Sequence, residues 1–101
     1  MVDLPQHAAF AEHLNTIFRV YLDDANIIDT RLVEVSELVL TPGQERFAIV
    51  FRGPNETFLG QGSRRFVHDQ MGEFELFLVP ISRDDQGTNY EAVFNRIPKN
   101  D

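Results

Sequence analysis

The segment Phe74-Glu75-Leu76-Phe77-Leu78-Val79-Pro80-Ile81 decides the fold, because its apolar side chains stand at both odd and even positions. Successive side chains of a strand point to opposite faces, so this segment is apolar on both faces. A strand buried on both faces is central in its sheet. We therefore predict a central strand, with one face toward the interior of a closed or folded-over sheet and the other covered by an N-terminal helix. Pro80 has no N–H to donate to a ladder, which predicts a bulge or a bend there.

The turns on either side of this segment place the last three strands in register. Residues 69–73 fit a three-residue hairpin loop closed by a left-handed Gly72, and residues 84–87 fit a four-residue loop. The cross-strand partners that follow are Asp69 with Glu73, His68 with Phe74, Phe66 with Leu76, Arg64 with Leu78, Ile81 with Tyr90, Val79 with Ala92 and Phe77 with Phe94.

Alternating apolar and polar residues indicate strands in most of the remaining chain. Strands are predicted over residues 16–22, 27–40, 45–52, 62–69, 73–82 and 88–96. The alternation changes phase between Ser36 and Leu38, which predicts a bulge or a bend. Pro42 and Gly43 occupy the positions that a type II turn favours, so the chain should reverse there.

A short helix is predicted over residues 4–14. Asp3 and Pro5 resemble a capping-box start with proline in the first turn. Three alanines favour the helix, and Phe10 and Leu14 lie on its apolar stripe. Because a helix this short is marginal alone, it must pack on the rest of the protein.

Six mostly antiparallel strands and one helix predict a mainly β fold, either a small six-stranded barrel or a rolled sheet, in a single domain of residues 1–101. A two-sheet sandwich is the alternative. A chain of this size buries one modest core, and most of the nine Phe and two Tyr residues are needed to fill it. A hollow barrel lined by these aromatics is a second interpretation, although six strands close tightly and leave little lumen.

Composition and charge exclude several classes of function. Nine Lys and Arg against sixteen Asp and Glu give a net charge of −7, which argues against nucleic acid and membrane partners, since both attract clustered basic residues. The absence of Cys excludes disulfides, thiolate metal sites and thiol nucleophiles. No apolar stretch approaches the roughly 18 residues of a membrane span. The N-terminus lacks the basic and apolar regions of a signal peptide, so we expect a cytoplasmic protein.

The sequence predicts no catalytic set. Ser63, His68 and Asp69 are the candidates for a hydrolase triad, which requires three side chains within hydrogen-bond reach of one another. Neighbours along a strand point to opposite faces, however, and Ser63 and His68 also differ in parity. We therefore interpret His68 as a partly exposed residue at a strand end.

The sequence also predicts no metal site and no cofactor. His7 and His13 are six residues apart, which separates them around a helix. Residues 84–89 resemble a calcium loop only superficially, because its twelfth position would be Asn95 rather than Glu. We interpret these residues as a hairpin turn whose Asp and Gly supply the turn geometry.

Arg52, Arg64 and Arg65 form a basic cluster in an acidic chain, and Gln61 lies in the Gly-containing loop between them. Guanidinium groups and free backbone amides bind carboxylates and phosphates, so these four residues are candidates for an anion site. The other interpretation is that the arginines pair across strands with acidic side chains, Glu73, Glu75 or Glu91.

Several segments look familiar when taken together: residues 47–54, 61–62, 77–80 and 90–96, with Gly72 between them and residues 10–20 before them. Their joint spacing resembles a bacterial family of single-domain proteins of about this length, catalogued as a domain of unknown function. The resemblance implies no known activity, cofactor or catalytic residue. The resemblance also implies that relatives are encoded beside genes for phage-tail-like collar proteins, which favours a role in assembly.

We therefore expect a non-enzymatic structural or protein-interaction module, belonging to a phage-tail-like or other assembly and binding an unidentified protein partner or a second copy. The alternative is a small-ligand or anion-binding barrel that uses Arg52, Gln61, Arg64 and Arg65. A hydrolase using His68 is the third hypothesis. Because Phe77 is predicted to be buried, its replacement by Ala is expected to destabilise the fold by about 3–5 kcal/mol.

Overall fold

The computed structural model describes residues 5–97, which form one short helix and seven strands. Helix α1 spans His7–Glu12. The strands are β1 Ile17–Tyr21, β2 Ile27–Val35, β3 Val39–Thr41, β4 Gln44–Gly53, β5 Gly62–His68, β6 Gly72–Asp84 and β7 Gly87–Arg96. All of the strand pairs are antiparallel.

Six strands close into a barrel because β2 pairs with β1 along one edge and with β4 along the other. Around the barrel the order is β1, β5, β6, β7, β4 and β2, while β3 lies beside β4 as an additional edge strand. The prediction of a mainly β, antiparallel six-stranded barrel with one short helix is confirmed. The chain does not form the alternative two-sheet sandwich.

The long apolar segment that begins at Ile27 is irregular in two places. Its register against β4 shifts by one residue between Leu32 and Glu34. After β2 ends, the Ser36 N–H donates to the Ala48 carbonyl and the Ser36 hydroxyl accepts from the Ala48 N–H, both at 2.8 Å. The irregularity predicted between residues 36 and 38 is therefore confirmed. Bulges increase local twist, which helps a small sheet to close on itself.

Helix α1 closes one end of the barrel. Its Phe10 is fully buried, and the Phe10 ring centroid lies 5.5–6.4 Å from those of four other phenylalanines, Phe18, Phe47, Phe74 and Phe94. These four residues come from β1, β4, β6 and β7, so the Phe10 ring fills the interior. The predicted position of the helix over the outer face of the central strand is wrong.

The helix is also shorter than predicted. It begins after Gln6, whose side chain makes no capping hydrogen bond, and Leu14 lies beyond its end with 40% exposure. Asn15 adopts a left-handed φ of 70° between the helix and β1. The predicted capping residue Asp3 and its neighbour Leu4 lie outside the described residues. Within residues 5–97, none of the helical structure is long and apolar enough to cross a membrane.

The loop between β4 and β5 closes the other end of the barrel. Leu59 is buried there, and its N–H donates to the hydroxyl of the buried Tyr90 at 2.9 Å. The Asn55 side chain donates to the Asp84 carbonyl at 2.6 Å and accepts from the Thr88 hydroxyl at 2.7 Å. These bonds fasten the loop to the β6–β7 hairpin.

The prediction that β6 is buried on both faces is wrong. Its inner face packs in the core, but Phe77 and Ile81 on the other side are 53% and 49% exposed. The barrel is a single closed sheet with its helix at one end, so among the described residues nothing covers this part of the outer face. Phe77 therefore does not supply the about 3–5 kcal/mol expected of a buried phenylalanine.

The β5–β6 hairpin differs from the predicted register. Its three-residue loop comprises residues 69–71, one residue earlier than predicted, so His68 pairs with Gly72 and Phe66 pairs with Phe74. Gly72 has the predicted left-handed conformation, with φ of 84°. Partners shift by two residues, which leaves every side chain on its predicted face.

The β6–β7 hairpin turns through two residues, Asp85 and Gln86, rather than four. The register slips by one residue between Pro80 and Ser82, which confirms the irregularity predicted at Pro80. Pro80 consequently pairs with Tyr90. The slip takes the predicted partner of Ile81, since Tyr90 pairs with Pro80, and it pairs Val79 with Glu91 rather than with the predicted Ala92.

Candidate functional site

The structure does not bring the four predicted anion-binding residues together. Arg52 lies on β4 and Arg64 and Arg65 lie on β5, and two strands separate β4 from β5 in either direction around the barrel. The Arg52 guanidinium binds the Asp84 carboxylate and donates to the Asn89 side-chain oxygen at 3.2 Å. Arg52 is therefore occupied at the β6–β7 hairpin.

The two arginines of β5 point to opposite faces. The Arg65 guanidinium carbon lies 3.9 Å from the centre of the Tyr21 ring, a cation–π contact on the outer face. Arg64 donates to the Gly60 carbonyl at 3.3 Å, and its buried Nε has no hydrogen-bond partner among the described residues. Gln61 is exposed in the loop before β5. These positions do not form a shared anion pocket.

The predicted turn at residues 84–87 has its carboxylate engaged within the protein. Asp84 accepts hydrogen bonds from the N–H groups of Gln86 and Gly87 at 2.8 and 3.1 Å. The Gln86 N–H, followed by the Arg52 guanidinium, lowers the pKa of Asp84 below its usual range. The side chain therefore holds the turn and binds Arg52.

His68 is buried rather than partly exposed, which corrects the prediction for this residue. Its Nδ1 accepts from the N–H groups of Gln70 and Met71, each at 3.1 Å, so the proton is on Nε2. Nε2 donates to the Thr16 hydroxyl at 3.0 Å, and that hydroxyl donates to the His13 carbonyl at 2.6 Å. Both ring nitrogens are thus used to join β1, the β5–β6 loop and the end of α1.

The other members of the proposed triad lie elsewhere. Ser63 is exposed on β5 and has the opposite parity to the buried His68. The Asp69 carboxylate accepts from the Arg19 guanidinium at 2.9 Å. The three side chains therefore have separate partners or surroundings and do not converge.

His13 lies against His68, a pairing that the sequence analysis missed. The ring centroids are 4.7 Å apart. His13 Nδ1 donates to the Ala9 carbonyl at 2.8 Å, and its Nε2 lies 2.9 Å from the Gln70 side-chain oxygen. The bond to Ala9, followed by that to Gln70, raises the pKa of His13, whereas burial, followed by the charge of His13, lowers the pKa of His68.

The ring nitrogens of both histidines are engaged in hydrogen bonds within the protein. Among residues 5–97 no group of three or more His, Cys, Asp or Glu side chains is placed to hold a metal ion. His7 is elsewhere, with its Nε2 at 2.8 Å from the Ser36 carbonyl. The contacts of His13 and His68 are instead those of a structural link beneath the helix.

A row of apolar side chains crosses the outer face, formed by Phe77 of β6, Val93 of β7, Ala48 of β4 and Val39 of β3. We call it the outer apolar row. Phe77, Val93 and Val39 are 53%, 66% and 43% exposed. Val93 and Ala48 are cross-strand partners. Phe77 and Val93 line one shallow depression, and Val93, Ala48 and Val39 line the next, so the row is continuous.

Comparison with known proteins identifies the family. The pattern of the family described as Domain of unknown function (DUF6916) matches residues 5–94. The chain belongs to this family. The match extends from before α1 to Phe94 in β7, so it includes nearly all of the barrel, and the family resemblance drawn from the sequence is confirmed. No curated protein and no solved structure matches this DUF6916 chain.

The sequence does contain a signal for the outer apolar row, namely the apolar residues on the second face of β6. The apolar residues on the second face of β6 were assigned to a buried layer, although an exposed contact surface produces the same alternation. The histidine pair of this DUF6916 chain gives no local signal, because its members lie on separate elements and the barrel closure brings them together.

The histidine pair makes stability depend on pH. The folded-state pKa of His68 lies below its ordinary value of 6.5, so the unfolded chain takes up a proton first. Its stabilising contribution is complete above that ordinary value and is lost as pH falls through the lowered folded-state pKa. We expect urea unfolding to show a steeper loss of stability from about pH 8 to about pH 5 in the wild type than in His68→Gln.

The contribution of His68 is given by the difference in unfolding free energy between the wild type and His68→Gln at each pH. The raised pKa of His13 acts in the opposite sense, since its contribution is present at low pH and is lost as pH rises through the folded-state pKa. Carboxylates elsewhere titrate in both proteins and cancel in the comparison. Parallel pH profiles for wild type and His68→Gln would contradict the lowered folded-state pKa of His68.

Proposed function

We propose that this protein is a non-enzymatic protein-interaction module that binds a protein partner through the outer apolar row, as one component of a phage-tail-like or other assembly. The observation that carries the proposal is the exposure of Phe77 and Val93, at 53% and 66%, side by side on a regular sheet. Contiguous exposed apolar surface on a folded domain marks sites of association, because burying it against a partner removes it from water.

The barrel interior supports this assignment, because it is used for packing. Phe47 stacks on Phe94 with ring centroids 4.5 Å apart, and Phe51 lies 4.8 Å from Phe66. Phe10 fills the space at one end and Leu59 is buried at the other. Binding through the outer surface uses side chains that contribute little to this core.

The rigid sheet beneath the row also suits an interaction surface. Val93 and Ala48 lie opposite each other in the ladder between β4 and β7, which is continuous over nine residue pairs from Glu45 with Arg96 to Gly53 with Thr88. Side chains on such a ladder are held in fixed relative positions before a partner arrives. Pre-organisation of this kind reduces the conformational entropy lost on binding.

The anion-binding barrel remains the alternative, with less support from the geometry. Its strongest feature is the Arg64 Nε, which is buried without a hydrogen-bond partner among the described residues. Arg52 and Arg65, however, are engaged with Asp84 and with the Tyr21 ring. An anion would have to displace at least one of these contacts to bind more than one arginine.

Site-specific photocross-linking tests the interaction function. A photoreactive phenylalanine analogue placed at Val93 should capture a defined partner in the cells that naturally produce the protein. The matched control position is Ile27, which is 46% exposed on β2, outside the outer apolar row. We expect a cross-linked product of discrete mass at position 93, reduced by Phe77→Ser, and none at position 27. Equal yields at the two positions, or none at either, would count against the proposed function.

A further inference from the structure

We infer that the outer apolar row is a docking groove for an amphipathic helix of a partner protein, with Lys or Arg side chains beside the apolar stripe of that helix. This inference rests on the proposed function and specifies the partner. Three properties of the surface support it: the direction of the row across the strands, the acidic side chains around the row, and the poor fit of two other partners, a second copy of the chain and an added β-strand.

The row runs across the strands rather than along one of them. Its four residues lie on four adjacent strands, β6, β7, β4 and β3, about 4.8 Å apart, so the row is about 14 Å long. An extended peptide lying along β7 would meet Glu91 and Asn95 on either side of Val93. A helix crossing the strands would instead follow the apolar residues. About ten residues of helix cover this length, and their apolar stripe recurs every three or four residues.

Acidic side chains border the β6–β7 half of the row. Glu73, Glu75 and Glu91 alternate with the inward-facing residues of their strands, so they share the outer face with Phe77 and Val93. The salt bridges within residues 5–97 involve other acidic residues, Asp69, Asp84 and Glu45. With a net charge of −7 for the whole chain, complementarity favours a basic partner and raises its association rate.

A second copy of the chain fits this charge pattern poorly. Self-association through the row would bring two sets of three glutamates into one interface. Arg46 is exposed near the Val39 end of the row, but Arg65 is already held over Tyr21. Like charges placed together in an interface oppose association.

The remaining candidate partner is an extended peptide that pairs as an added strand with the outer edge of β3. Ser36 bonds to both the N–H and the C=O of Ala48, so these two groups of Ala48 point toward the edge of β4 where β3 lies. In a strand the N–H and C=O groups of successive residues point to alternate edges, so those of Arg46, two residues earlier, point to the same edge as those of Ala48. Arg46 therefore bonds with its partner Val39, and the N–H and C=O of Leu40 point away from β4. In the described part of this edge, β3 is only three residues long. A helix on the row would use a wider surface than such a short edge offers.

The test uses the full chain and synthetic peptides. The probe is an Ala-rich helix of about 18 residues, long enough to be helical alone, with a Leu stripe flanked by Lys; its twin carries Glu in place of Lys. Titration into ¹⁵N-labelled protein should shift amide signals of β6, β7 and β4 around the row. We expect the Glu twin to bind at least about tenfold more weakly, and Val93→Asp to abolish binding of the Lys probe.

Matched charge variants separate local recognition from general attraction. The variant Glu73→Gln, Glu75→Gln, Glu91→Gln should weaken binding of the Lys probe by about fivefold or more. The control variant Glu56→Gln, Asp24→Asn, Asp85→Asn removes the same charge from exposed positions outside the row and should leave the affinity nearly unchanged. Equal losses in the two variants would overturn the inference.

Other outcomes identify other occupants. An alternating Val-Lys peptide that shifts Leu40, and that loses binding in Leu40→Pro but not in Leu40→Thr, would establish strand addition instead. A molecular mass that doubles with concentration and reverts in Phe77→Ser would establish self-association. If neither Lys helix nor Val-Lys peptide binds while cross-linking at Val93 still captures a partner, the helix is wrong and the interaction function stands.

Discussion

Replacing Phe10 by Ala should lower the free energy of unfolding by about 3–5 kcal/mol, the range for an aromatic side chain removed from a core. Phe10 is fully buried, and its ring contacts phenylalanines from four strands. Helix α1 has only six residues and depends on this packing for its stability. Denaturant unfolding gives the energy, and amide hydrogen exchange over residues 7–12 should show that the helix detaches.

The matched control is Phe77→Ala, which removes the same atoms from the outer face. Phe77 is 53% exposed, so its replacement should lower stability by only about 1 kcal/mol, through lost strand propensity and cross-strand contact. A loss comparable to that of Phe10→Ala would show that Phe77 is buried in solution, contrary to the structure. The pair of variants thus separates the side chain that builds the barrel from the one that is free to contact a partner.

Much of the fold was predictable because it depends on local chemistry. Gly43, in the turn between β3 and β4, and Gly72, at the start of β6, have left-handed φ values of 77° and 84° at the turns that the sequence indicated. Pro80 lies at the register slip in β6, as expected for a residue that cannot donate to a ladder. Hairpin order and inner faces follow from such short-range signals, whereas the single strand predicted over residues 27–40 is divided into β2 and β3.

The errors arise where the sequence pattern is compatible with two environments. Alternation reports that Phe77 prefers an apolar contact, but it does not report whether this chain or another protein supplies that contact. The closing pair, β2 with β4, is the long-range feature that leaves Phe77 outside. Once the sheet closes on itself, only its inner face surrounds a core. The helix then covers one end of the barrel rather than the outer face of β6.

The predicted arginine cluster is dispersed in the structure for a related reason. Arg52 and Arg64 are twelve residues apart in sequence and flank one loop, yet closure leaves two other strands between their strands in either direction. Two residues on either side of a loop lie close together in space only when the strands joined by that loop pair with each other. The His13–His68 contact shows the converse, since barrel closure joins residues that no local pattern connects.

Replacing Gly87 by Ala should destabilise the fold by about 1–3 kcal/mol, as expected for a side chain forced into a filled space. A Cβ atom there would lie 2.9 Å from the Gly53 carbonyl oxygen and 3.0 Å from the Arg52 Nε. Gly53 is paired with Thr88 in the β4–β7 ladder, so its carbonyl cannot retreat without disturbing the ladder. Arg52 would also be pushed from its contacts with the β6–β7 hairpin.

Gly60→Ala is the control, because a Cβ atom at that glycine meets nothing within 4 Å. It should alter the free energy of unfolding by less than about 0.5 kcal/mol. If Gly87→Ala is equally mild, the Arg52 side chain moves aside at little free-energy cost and is not fixed between Gly87 and Asp84. An arginine that moves so easily could leave Asp84 and bind an anion, and this result would favour the anion-binding alternative.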